Sequence, residues 1–148
     1  MGVRVAVFLV CVGVAAQSLP DGPGKELVEI ICSACHQPTR VIGKHWTKAE
    51  WQDKVLEMLQ EETDVNQSEK DRIVEYLSKT FFKKVNVNKA PAKDLAAVLE
   101  IPDKDADAIV RYREQKGSFK TLNDLKNVPG LDLAKIEARK ERLDYDTN

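Results

Sequence analysis

The stretch Cys32-Ser33-Ala34-Cys35-His36 constrains this chain more than any other. Two thiols three residues apart, followed at once by a histidine, match the spacing at which a c-type haem is attached. Each thiol adds to one vinyl group, and the histidine ring is carried beneath the porphyrin as the proximal iron ligand. Two other chemistries compete for these residues. Zinc would recruit Cys32, Cys35, His36 and His45, but neighbours such as Cys35 and His36 rarely reach one tetrahedral ion, and a second ligand pair is missing. A redox dithiol wants a strand before it, and no strand pattern precedes Cys32. The expectation is therefore one haem c, held covalently by Cys32 and Cys35, with His36 as an axial ligand.

The N-terminus is consistent with that chemistry. Arg4 is followed by an apolar run over residues 5–14, and Val14-Ala15-Ala16 offers small residues where signal peptidase reads them. Residues 1–16 are expected to be a cleaved signal peptide, taking Cys11 with them. The run is too short to span a bilayer comfortably, so no stable membrane insertion is expected after cleavage. Val10 before Cys11 spoils a lipoprotein signal. The mature protein is expected to be periplasmic or otherwise exported from a bacterium, because this kind of haem attachment takes place outside the cytoplasmic membrane.

Charge divides the remainder. Residues 17–82 hold eight basic and twelve acidic side chains, whereas residues 83–148 hold fourteen and twelve. A boundary near Phe82 is expected, with residues 17–24 as a linker, 25–82 as a haem-binding unit and 83–148 as a second unit. In the first, Leu27, Ile30 and Ile31 recur at helical spacing and lead into Cys32. A loop over residues 37–46 is expected to wrap the haem, with Arg40, Lys44 and Trp46 available to its propionates. Thr47 and Glu50 have the form of a capping box, opening a helix in which Trp51, Val55, Met58 and Leu59 share one stripe. Ser68, with Asp71, is expected to cap a third helix carrying Ile73, Tyr76, Leu77 and Phe81.

Met58 in such a stripe is ordinarily core filler. Elimination makes it the first candidate for the sixth iron ligand, since thioether sulfur is the usual partner of histidine in electron-transfer haems and Met1 leaves with the signal. His45, a lysine or an open position are the alternatives. The haem motif, the Trp51 to Met58 spacing and Tyr76-Leu77 together resemble the short monohaem cytochrome c domains that accompany periplasmic dehydrogenases. The resemblance implies a compact three-helix fold and His36/Met58 ligation.

The second unit contains a repeat. Leu95, Val98, Ile101, Pro102 and Ile109 recur as Leu122, Leu125, Val128, Pro129 and Ile136, each displaced by 27 positions. Two copies of a helix-turn-helix unit are expected, with Asn88 capping the first helix, Gly117 ending the second and Thr121 with Asp124 boxing the third. Val85-Asn86-Val87-Asn88, Gly117-Ser118-Phe119 and Val128-Pro129-Gly130-Leu131 resemble the double helix-hairpin-helix domain of competence-type exported DNA receptors. In that family glycine-rich hairpins let backbone N–H groups approach a DNA phosphate. The first hairpin here, Ile101-Pro102-Asp103-Lys104-Asp105, has no glycine and is followed by Asp107; the second keeps Gly130.

The fold expected is all-α: a three-helix cytochrome c domain followed by a double helix-hairpin-helix domain. The function expected is an exported single-electron carrier, transforming no substrate, with a periplasmic redox partner protein or dehydrogenase and with the second unit as a docking module. A haem-containing DNA-binding or DNA-uptake accessory is the alternative. Gly130, Lys126, Lys135 and Arg139 are its candidate DNA or partner contacts, and duplex binding no tighter than about 10⁻⁴ M is expected from the acidic first hairpin.

Overall fold

The computed structural model describes residues 18–147. The expected signal peptide, Cys11 and Met1 lie outside the described residues. Six α-helices follow one another: α1 (Lys25–Cys32), α2 (Lys48–Met58), α3 (Gln67–Thr80), α4 (Ala92–Leu99), α5 (Asp103–Lys116) and α6 (Leu133–Glu137). Three 3₁₀ segments, Pro38–Val41, Leu122–Asn127 and Lys140–Arg142, join them. The fold is mostly helical, but a parallel two-strand pair, β1 (Val85–Asn86) and β2 (Leu143–Asp144), closes the second half.

Each half has its own apolar core. In the first, α1 and α2 both pack on α3, and Val28, Trp51, Val55, Ile73, Tyr76 and Leu77 are buried between them. In the second, α4 packs on α5 around Leu95, Val98, Leu99, Ile109, Phe119 and Leu125. The repeat is real but unequal: α4 and α5 form the first copy, while the second is a 3₁₀ segment followed by the short α6.

The capping box at Thr47 and Glu50 forms as its sequence implies, with the Glu50 amide donating to Thr47 Oγ1 at 3.2 Å and the Thr47 amide donating to Glu50 at 2.7 Å. Gly117 ends α5 at a φ of 94°. Three expectations need correction. Asn66, not Ser68, caps α3, because Glu69 reaches back to the Asn66 amide at 2.9 Å whereas Asp71 is taken by Gln67. Asn88 caps no helix; its side chain ties Phe119 to Tyr145. Residues 19–24 do not run free as a linker: Leu19 is buried, and the Tyr76 hydroxyl donates to the Pro20 carbonyl at 2.6 Å.

The two halves are stitched at residues 81–83. Trp46 and Phe82 form a parallel bridge, the Trp51 indole N–H donates to the Phe81 carbonyl at 3.1 Å, and the Lys83 amide donates to the Trp46 carbonyl at 3.2 Å. From the other side the Arg142 guanidinium lies 5.9 Å from the centre of the Phe82 ring.

Candidate functional site

Two places gather the residues that the sequence marks for chemistry. The first is a cavity of about 450 Å³ in the N-terminal half. The end of α1 delivers Cys32 to its wall, and the tight turn that follows, with the His36 amide donating to the Cys32 carbonyl at 3.2 Å, brings Cys35 and His36 to the same wall. Val55, Met58 and Leu59 come from α2, and Ile73 and Leu77 from α3. Both cysteines are free thiols, and burial first, then the neighbouring Cys35, pushes the Cys32 thiol above its ordinary pKa. The His36 ring is held by the Gln37 carbonyl, 3.1 Å from Nδ1. With the proton on Nδ1, this contact leaves the Nε2 lone pair as the donor toward a metal.

Met58 departs from the pattern of its stripe. Trp51, Val55 and Leu59 are buried, yet Met58 is 42% exposed and lines the cavity. That is an unusual position for core filler. His45 is elsewhere: its ring faces the Phe82 carbonyl at 3.3 Å and lines a separate hollow with Lys83 and Lys84. Among the described residues no group of three or more His, Cys, Asp or Glu side chains is placed to hold a metal ion. Of the loop residues expected near propionates, Arg40 lines the cavity, whereas Trp46 packs against Trp51 with ring centres 4.6 Å apart.

The second place is the hairpin between the 3₁₀ segment Leu122–Asn127 and α6. Val128 anchors it in the core, while Pro129 and Gly130 are exposed. Gly130 has a φ of 76° with open space around its Cβ position, so the glycine serves the turn itself and keeps the backbone accessible. Lys126 and Lys135 are exposed on this side, Lys135 pairing loosely with Asp132 at 3.5 Å. Arg139 is not part of that open face. It is drawn to Glu100 at 2.6 Å, and Arg142 reaches the other oxygen of the same carboxylate at 2.7 Å.

Glu100 is a residue that pattern reading passed over. It ends α4 in the left-handed region at a φ of 53°, where glycine is the usual occupant. Burial raises its carboxyl pKa, but the hydrogen bonds from Arg139 and Arg142 outweigh that and hold it below the ordinary value. The first hairpin is also less acidic outside than its sequence reads, because Asp105 is buried and only Asp103 and Asp107 face solvent.

This arrangement of paired helices and hairpins defines the class of the second half. Residues 80–144 match the helix-hairpin-helix motif family. A protein of Haemophilus influenzae described as uncharacterized is 38% identical over 61 residues, covering 40% of this chain and 54% of that protein. ComE operon protein 1 of Bacillus subtilis is 32% identical over 59 residues, covering 40% of this chain and 29% of that protein. The chain thus spans about half the length of one curated relative and under a third of the other. No solved structure matches it.

These matches overturn the electron-carrier reading of the whole chain, in which the second half was only a docking module. They support the helix-hairpin-helix assignment of the second half and give a cytochrome assignment or a redox partner no support. No helix among the described residues is long and apolar enough to cross a membrane.

Proposed function

We propose that this chain is an exported DNA-binding accessory protein of the DNA-uptake kind, a binding protein with no reaction of its own. Its helix-hairpin-helix half contacts the phosphate backbone of duplex DNA. The observation that carries the reading is the second hairpin, where an exposed, unobstructed Gly130 stands between two exposed lysines, Lys126 and Lys135, within a matched helix-hairpin-helix domain. Backbone contacts of this kind position a protein on DNA without reading its sequence, so the binding is non-specific and salt-dependent. Anisotropy titration of a labelled duplex with the full chain tests it. Micromolar binding at physiological salt that is lost in Gly130→Asp is the expected result, tighter than the limit of about 10⁻⁴ M drawn from the acidic first hairpin, because Asp105 is buried there. A dissociation constant weaker than about 10⁻⁴ M, beyond the ordinary non-specific range, would refute it.

The N-terminal half fits a haem as its resident group. Cys32 and Cys35 would supply the thiols for covalent attachment, His36 and Met58 would be the side chains that hold the iron, and Arg40 would be the cation available to a propionate, since all five line one cavity. When bound, haem supplies an apolar disc that completes this half's core, together with a redox-active iron. The chain's own part is to hold the His36 ring by the Gln37 carbonyl and to line the cavity with apolar side chains of α2 and α3, which would exclude water from the group. Haem that survives acid–acetone extraction from the wild type, but not from Cys32→Ala/Cys35→Ala, is the expected outcome. Extraction from the wild type would overturn covalent attachment.

A further inference from the structure

A cleft of about 370 Å³ lies where the two halves meet, lined from the first half by Lys48, Glu75 and Lys79 and from the second by Glu100, Arg139 and Arg142. Its ion pairs are arranged in the same way on both sides. Lys48 and Lys79 share Glu75, each at 2.8 Å, and Arg139 and Arg142 share Glu100. Four cations thus divide two carboxylates. Glu141, which also lines the cleft, lies 3.9 Å from Arg142 and offsets one charge more. Four cations against three carboxylates leave one positive charge in the cleft, and the Lys48 and Lys79 side of it belongs to the half whose overall balance is acidic.

One group inside this cleft wall is incomplete. Arg142 is 8% exposed, and its Nε–H, 3.9 Å from the Glu141 carboxylate, is too far from it for a hydrogen bond and has no other partner. A buried donor left unpaired is costly, and an arginine fork is shaped for the two oxygens of a phosphate or carboxylate. The position of the cleft narrows the choice. Arg139 lies two residues beyond α6, which begins three residues after Gly130 and, five residues long, spans about 8 Å at 1.5 Å per residue. A duplex strand covers that distance in two or three nucleotides, at about 3.4 Å each.

We propose that the junction cleft is a second phosphate-contact site, so that a DNA backbone held at the Gly130 hairpin continues across α6 and is gripped by Lys48 and Lys79 of the N-terminal half together with Arg139. This rests on the DNA-binding reading and extends it: the N-terminal half becomes part of the DNA footprint.

The test is duplex anisotropy at several salt concentrations with the full chain. Lys48 and Lys79 are 46% and 71% exposed, so Lys48→Gln/Lys79→Gln preserves the fold. Removing two phosphate contacts lowers the slope of log affinity against log salt by about two, and shrinks the affinity ratio between 50 and 200 mM salt about tenfold. A comparison pair of lysines from the same half but outside the cleft, Lys25→Gln/Lys54→Gln, is expected to leave the slope unchanged. Equal losses in both pairs, or no loss in the cleft pair while Gly130→Asp still weakens binding, would overturn the cleft and leave the hairpin reading standing. Wild type that fails to bind overturns both. Inorganic phosphate supplies the last arm: if it raises the melting temperature through Lys48 and Lys79 while DNA binding ignores them, the cleft holds a free anion and the proposal falls.

Discussion

Replacing Glu100 with glycine and, separately, with alanine divides two opposing effects at one position. The carboxylate is the shared acceptor of Arg139 and of the nearly buried Arg142. Removing one partner of a buried ion pair costs about 3–5 kcal/mol. Here Arg142 keeps its hydrogen bond to the Val98 carbonyl at 2.8 Å, and the Glu100 side chain is 29% exposed, which puts Glu100→Ala near the low end, about 3 kcal/mol. Glycine loses the same ion pair but relieves the left-handed backbone, worth about 1 kcal/mol. Glu100→Gly is therefore expected at about 2 kcal/mol. Urea unfolding followed by circular dichroism, at constant m-value, measures both. The acid limb adds a second readout: the folded pKa of Glu100 is depressed, so its contribution is full above the ordinary value of 4.5 and is lost as pH falls through the lower folded value. Glu100→Gln and wild type should accordingly converge in acid. Glycine no better than alanine, or a gap that persists at low pH, would refute the reasoning.

Other expectations follow from the same contacts. Asn88→Ala removes the bonds that hold the Phe119 amide and the Phe119 and Tyr145 carbonyls; a loss of about 2–3 kcal/mol is expected, with amide exchange of Val87 and Phe119 accelerating first. Glu75, lowered to about 2 by its hydrogen bonds to Lys48 and Lys79, stabilises above pH 4.5 and progressively less toward pH 2. Because it is exposed, Glu75→Gln should cost less than about 1 kcal/mol, and nothing in 1 M salt; a cost that survives high salt would contradict this. In the haem-loaded protein, Met58→Ala is expected to open the iron to carbon monoxide while His45→Ala is not, since His45 lines a different hollow; the reverse pattern would transfer the ligand role to His45.

Much of the fold is written locally. The 27-residue recurrence of Leu95, Val98 and Ile109 marks core positions that the folded chain buries or half-buries, and Thr47 and Glu50 form their box because both partners lie within one turn. Where two local signals competed, as at Asn66 and Ser68, the reach of Glu69 decided, and that is a matter of geometry more than of residue type. Asn88 and Glu100 were illegible for a different reason. Their partners are 31 to 57 and 39 to 42 residues away, and no periodicity carries information over such distances. In the N-terminal cavity the cysteines, His36 and the α2 stripe were all readable. The exposure of Met58 was not, because it depends on how α1 and α2 stand on α3. The electron-carrier conclusion failed where a strong motif in one half was allowed to speak for both.

The pairing of β1 with β2 also decides how the helix-hairpin-helix half meets tension. The chain enters that half through β1 and leaves it through β2, and the strands are parallel, Val85 beside Leu143 and Asn86 beside Asp144. A pull between the N-terminal half and the tail beyond Asp144 therefore slides one strand lengthwise along the other instead of peeling them apart. The Val87 amide to the Asp144 carbonyl at 2.9 Å, Asn86 Nδ2 to the Asp146 carbonyl at 2.9 Å, and Asn88 Nδ2 to the Tyr145 carbonyl at 3.0 Å are then stretched together. Peeling breaks such bonds one at a time, whereas shear must break them at once. The terminal join is for that reason the mechanically stiff edge of the domain.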